Sequence, residues 1–130
     1  MAKRIIPASM QNFYGGYHFA PAVVDGEHLR CSGVIGVDLS NGEVPGDPET
    51  QFRLAFNNLA EVLTEGGVGF GDITEMTTFH VGLQEHLATF MKVKDEFVNE
   101  PYPAWTAIGT PELALPGGIV EIRVTARIKG

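Results

Sequence analysis

One stretch near the C-terminus leaves little freedom in how this chain folds. Val120, Ile122, Val124, Ala126 and Ile128 alternate with Glu121, Arg123, Thr125 and Arg127. Successive side chains of an extended chain point to opposite faces, so the pattern is a strand with one apolar and one polar side. Such a strand requires neighbours in a sheet and a hydrophobic layer over one face. It is predicted over about Gly118 to Ile128, with Glu121 near its start on the polar face.

Helices supply the layer. Asp47-Pro48-Glu49 opens one: Asp47 suits the cap, Pro48 the first helical position, and Glu49 the positive end of the helix dipole. Phe52, Phe56, Leu59 and Leu63 follow at helical spacing, and Gly66-Gly67 ends the run. A second helix is expected from about Gln84 to Val98, with Leu87, Phe90, Met91 and Phe97 as its apolar positions.

The remaining strands are shorter. Ile5 and Ile6 end at Pro7, and the glycine- and aromatic-rich segment Gln11 to Tyr17 reads as a loop. Strands are expected at about His18 to Val24 and His28 to Ile35, joined by an Asp25-Gly26 turn. Pro21 points to an edge or a bulge in the first, and Gly33 to a bulge or a close backbone approach in the second. Asp72 to Leu83 carries apolar residues at both parities (Ile73, Met76, Phe79, Val81), which suggests burial on both faces. Ala104 to Gly109 completes the set. The order β-β-β-α-β-α-β-β gives an α+β fold, a mixed sheet with two helices on one face. The other face needs cover as well, which self-association would provide.

Composition bounds the function. A chain of 130 residues, 44% hydrophobic and 19% charged, is one folded domain spanning residues 1–130. Its net charge of −7 repels phosphate backbones, so no nucleic-acid partner is expected. No stretch approaches membrane-spanning length, and no leader-like apolar run follows the N-terminus, so a cytoplasmic protein without a membrane partner is expected. The single cysteine, Cys31, fits a reducing compartment and reads as a small buried hydrophobe.

Several residues are candidates for chemistry. Glu121 offers a carboxylate to hold or activate water, or else pairs with a basic neighbour on the sheet surface. Trp105 is either a stacking wall for a planar ligand or a core or interface anchor. Tyr14 and Tyr17 line a pocket or merely pack their loop. Ser32 has no recognisable His/Asp pattern to make it a nucleophile. His18, His28, His80 and His86 form no metal-ligand motif, so no metal is expected. Gly66-Gly67-Val68-Gly69 follows a helix rather than opening one and does not suit phosphate.

Taken in order, Gly16-Tyr17, Ser32-Gly33, Gln51, Asn58-Leu59, Leu63, Asp72-Ile73, Thr77-Thr78-Phe79, Pro103-Ala104, Pro116-Gly117 and Val120-Glu121-Ile122 make the chain resemble the RidA/YjgF family. The resemblance implies a chorismate-mutase-like fold, a homotrimer with small-molecule clefts between subunits, and cofactor-free hydrolysis of imines or enamines. It places Tyr17, Ser32, Gly33 and Glu121 on pocket positions, with Glu121 matching the glutamate that positions the attacking water. Catalytic members read P-A-R before Ser or Thr, and that arginine grips the substrate carboxylate. This chain has Trp105 there. An indole offers one neutral N–H and cannot replace a two-pronged charged fork. Losing two charged hydrogen bonds, at about 1.5–3 kcal/mol each, removes a few powers of ten in rate on such substrates. Arg30, Arg123 and Arg127 are possible substitutes from another direction. Two readings remain: hydrolysis of an imine or enamine other than the standard 2-imino acids, or a non-catalytic ligand-binding trimer with Trp105 against the ligand.

Overall fold

The alternating stretch forms the middle of one sheet. The computed structural model describes residues 2–129, and Met1 and Gly130 lie outside it. Its strands are β1 (Arg4–Ile5), β2 (Ala22–Asp25), β3 (His28–Cys31), β4 (Val34–Ile35), β5 (Ile73–His80), β6 (Ala104–Gly109) and β7 (Val120–Arg127). Its helices are α1 (Gln11–Gly15), α2 (Pro48–Glu65) and α3 (Leu83–Lys94). The order across the sheet is β1-β2-β3-β7-β5-β6, with β4 continuing the line of β3 along β7. Only β5 and β6 run parallel, because α3 carries the chain between them.

Burial along β7 follows its alternation. Val120, Ile122, Val124 and Ala126 are buried, and Glu121, Arg123, Thr125 and Arg127 point the other way. The buried side faces α2 and α3, where Phe52, Phe56, Leu59, Val62 and Phe90 are fully enclosed. Phe56 stacks on Phe97 at 5.0 Å and on Phe90 at 5.6 Å between ring centres. At the start of α2, Asp47 accepts from the Thr50 amide at 3.0 Å and from its hydroxyl at 2.8 Å. These bonds hold the Asp47 carboxyl below the ordinary carboxylate range.

Some expectations need correcting. Gln11–Gly15 is a short helix rather than a loop. Pro21 is neither at an edge nor in a bulge: β2 starts after it and lies between β1 and β3. The mixed parity of β5 comes from a bulge. Ile73 opposes Ala126 and Glu75 opposes Thr125, so Thr74 is an extra residue and the buried side switches parity there. Ile73 and Met76 therefore share the helix face, while Phe79 is half-buried on the other. The second helix stops at Lys94, and a turn bonds the Val98 amide to the Lys94 carbonyl at 2.9 Å. Met91, placed among its apolar positions, is exposed.

A second bulge positions the site. Arg30 opposes Thr125 and Val34 opposes Ile122, so three residues, Cys31 to Gly33, span Val124 and Arg123. This separates β3 from β4 and turns the Ser32 amide back to the Pro21 carbonyl at 2.9 Å. Cys31 stays buried, and burial pushes its thiol up to about 12, an inert group as expected.

Candidate functional site

At the break between β3 and β4 lies a pocket of about 300 Å³. Ser32, Gly33, Val34, Ile35 and Glu121 line it from the sheet, together with the aromatic Phe13, Tyr17 and Phe19, and Asn58, Ala114 and Leu115 complete the lining. Phe13 and Phe19 stack at 5.4 Å, and Tyr17 meets Phe13 edge-on at 6.5 Å. Asn58, buried on α2, donates to the Ile35 and Val37 carbonyls at 2.9 and 2.8 Å and so fixes the strand that follows the bulge.

Glu121 is half-buried on the sheet face turned away from the helices. Burial alone raises its carboxyl above the ordinary range; no hydrogen bond or charge offsets it. The surface ion-pair alternative therefore does not hold for this residue. Arg30 is bonded to Asp25 at 2.8 Å and Arg127 to Glu27 at 3.3 Å, and neither they nor Arg123 line the pocket. The substitution of an arginine from those positions is absent within the chain.

Gly33 explains how the carboxylate fits. A Cβ built there would overlap the Glu121 carboxylate, lying 2.6 Å from both Cγ and Cδ. The close approach expected at Gly33 is thus made by the Glu121 side chain. Ser32 donates its hydroxyl proton to the Ala20 carbonyl at 2.7 Å and offers only lone pairs to the pocket. With no base at its oxygen, Ser32 serves as a wall and not as a nucleophile. Tyr17 is 60% exposed and stands at the pocket's mouth, whereas Tyr14 is outside the lining.

Trp105 is not in this pocket. It opposes Met76 across the parallel pair, which puts it on the helix face, opposite to Glu121. Its Nε1–H donates to Thr78 Oγ1 at 2.9 Å, its ring lies 6.0 Å from Phe90, and Lys94 Nζ sits 4.6 Å over it. The expected pairing of Trp105 with Glu121 around one ligand does not occur within a single chain. Phe13, Phe19, Val34, Ile35, Asn58, Ala114 and Leu115 are not site residues by sequence reading; the aromatic density of residues 13–19 is the signal for the two phenylalanines, and Asn58 enters only through the resemblance.

Behind Trp105, Thr78 Oγ1 also meets His80 Nε2 at 2.7 Å, and His80 Nδ1 is buried with no partner. Desolvation first, and His86 second, push His80 down to about 4 from 6.5. The unfolded chain then binds a proton that the folded chain refuses between these values. This contribution to stability is complete above about pH 6.5 and is lost as pH falls toward 4, of the order of 3 kcal/mol. Urea unfolding at pH 7 and pH 4.5 should show that loss, and His80→Gln should show a smaller difference between the two conditions.

Among the described residues, no three His, Cys, Asp or Glu side chains converge as metal ligands. No helix among the described residues is long and apolar enough to cross a membrane.

The family profile described as Endoribonuclease L-PSP matches residues 11–128. The RutC family protein YjgH of Escherichia coli K12 is 38% identical over 125 residues, covering 95% of this chain and 93% of that protein. The 2-iminobutanoate/2-iminopropanoate deaminase of the same organism is 30% identical over 101 residues, covering 78% of each. A solved structure of protein YjgH superposes with a TM-score of 0.89 at 36% identity, over 99% of this chain and 98% of that one.

Proposed function

This chain belongs to the RidA/YjgF family, many of whose members are imine and enamine deaminases, and on that premise we propose that it hydrolyses a small imine or enamine lacking the 2-carboxylate. The observation that carries this reading is an unpaired, half-buried Glu121 in an apolar pocket that no lysine or arginine lines. A carboxylate with free lone pairs and raised basicity takes a proton from water as the water oxygen bonds to the imine carbon. It then returns that proton to nitrogen to give a carbinolamine; the hydroxyl proton passes to nitrogen as the C–N bond breaks, and a carbonyl compound and ammonia leave. Gly33 provides the room, Asn58 steadies the strand, and the aromatic wall holds the apolar part of the substrate. The pocket needs no cofactor for this.

A homotrimer completes the reading. Ala104, Thr106 and Ile108 are exposed on edge strand β6, on the face that carries Glu121, and the helices leave that face uncovered. Copies of the chain packed there would form the clefts that the family resemblance implies. Trp105 would then meet a ligand only in the cleft of a neighbouring copy. Neither ribonuclease activity nor a nucleic-acid partner belongs to this reading. A net charge of −7 and a pocket without cations oppose phosphate binding. A cytoplasmic location accords with the free, buried Cys31.

The test compares two imines made in situ. One comes from benzylamine through an amine oxidase, the other from alanine through an amino acid oxidase, and ammonia release is followed. The benzylamine-derived imine should be hydrolysed faster with the protein than without it. The 2-imino acid should show a kcat/KM lower by about a hundredfold or more, for want of the charged fork. Rapid turnover of the 2-imino acid would overturn the proposed specificity. Failure to accelerate either imine would leave the ligand-binding trimer as the better reading.

A further inference from the structure

We propose that the Glu121 pocket is a site for organic cations, so that the substrate enters as a protonated imine with an apolar or aromatic substituent. This deepens the hydrolase reading and rests on the same pocket. Three aromatic rings, Phe13, Tyr17 and Phe19, and one carboxylate line it. Ring faces carry negative potential and attract cations, and clustered rings bind substituted ammonium ions. Glu121 meanwhile has lost part of its hydration without gaining a partner. A buried charge left in that state is unfavourable, and a cationic ligand relieves it. An anionic ligand meets the opposite: repulsion from Glu121 and no cationic side chain in the lining.

The chemistry agrees with the geometry. A protonated imine is the more electrophilic form, and it carries its own nitrogen proton into the site. Water adds to the carbon as the C=N pair of electrons moves to nitrogen, and Glu121 takes the proton that the water releases. Glu121 then protonates the amino group and the C–N bond breaks. The departing ammonia leaves with the hydroxyl proton, so that one iminium ion and one water give one carbonyl compound and one ammonium ion.

Binding tests this without turnover. Benzylammonium, benzyl alcohol and benzoate have similar shapes, differ in charge, and contain no C=N bond. Calorimetric titration of the full-length protein at pH 7.5 should give benzylammonium an affinity about tenfold or more above benzyl alcohol, with benzoate weakest. Glu121→Gln should reduce the preference for benzylammonium over benzyl alcohol to about twofold or less, and Phe19→Leu should weaken benzylammonium several-fold. Benzoate binding as tightly as benzylammonium, no binding of benzylammonium, or a preference that survives Glu121→Gln would each overturn the proposal. A cation preference without imine turnover would sink the hydrolase reading alone, and turnover without the preference would sink this one alone.

Discussion

Glu121→Gln is expected to lower kcat for hydrolysis of the benzylamine-derived imine by about a hundred- to ten-thousandfold, the range for loss of a general acid–base group. The substitution keeps the side chain's shape beside Gly33, where larger changes would collide. It removes the one group in the pocket lining able to accept a proton from water near neutral pH. Because no ion pair holds Glu121, the fold has little to lose by the change, and the thermal midpoint should stay close to that of the parent. A steady-state assay with thermal unfolding of the same samples separates the two effects. Retained kcat in a folded Glu121→Gln protein would refute the water-handling role.

The largest loss of stability is expected from Gln51→Ala, of the order of 4 kcal/mol. Gln51 is fully buried on α2 and ties down two loops at once. Its Nε2 donates to the Pro45 carbonyl at 2.9 Å and to the Gly117 carbonyl at 3.1 Å, and its Oε1 accepts from the Ile119 amide at 2.6 Å. Truncation leaves three main-chain groups without that partner, each at about 1–3 kcal/mol where water cannot replace it. It also opens a space against Gly36, whose missing side chain lets the segment after β4 lie directly on the Gln51 backbone. Urea unfolding should show the midpoint falling well below that of the parent. A change under about 1 kcal/mol would mean that these loops are held by other contacts. The loop that Gln51 anchors through Gly117 and Ile119 leads back to Ala114 and Leu115 of the pocket, so a weaker pocket should accompany the lower stability.

The physical reason some features could be read from the chain is that they are local. The β7 alternation, the Asp47-Pro48 helix start and the Gly66-Gly67 stop each depend on residues a few positions apart. The bulge at Thr74 escaped a reading of parity, because a bulge is a count of residues against a partner strand, whereas Gly33 marked the one at Cys31 to Gly33. Gly33 was identified as a place of close approach, but what approaches it is a side chain far along the sequence, that of Glu121. Trp105 is the clearest case. β6 reads Ala-Trp-Thr-Ala-Ile-Gly, with no alternation strong enough to assign its faces. Its register against β5 assigns them, and puts the indole on Phe90 and Thr78.

By itself, then, the sequence determined the α+β architecture, the central strand with Glu121 on its polar side, and the absence of the family arginine at position 105. Those follow from periodicity, capping and residue identity, which act within a few residues. Only the tertiary structure decided that Glu121 is unpaired, that Phe13 and Phe19 wall its pocket, and that Trp105 faces the other way. Each of these is set by which strands pair and in what register, and burial and charge pairing depend on the neighbours that pairing brings together.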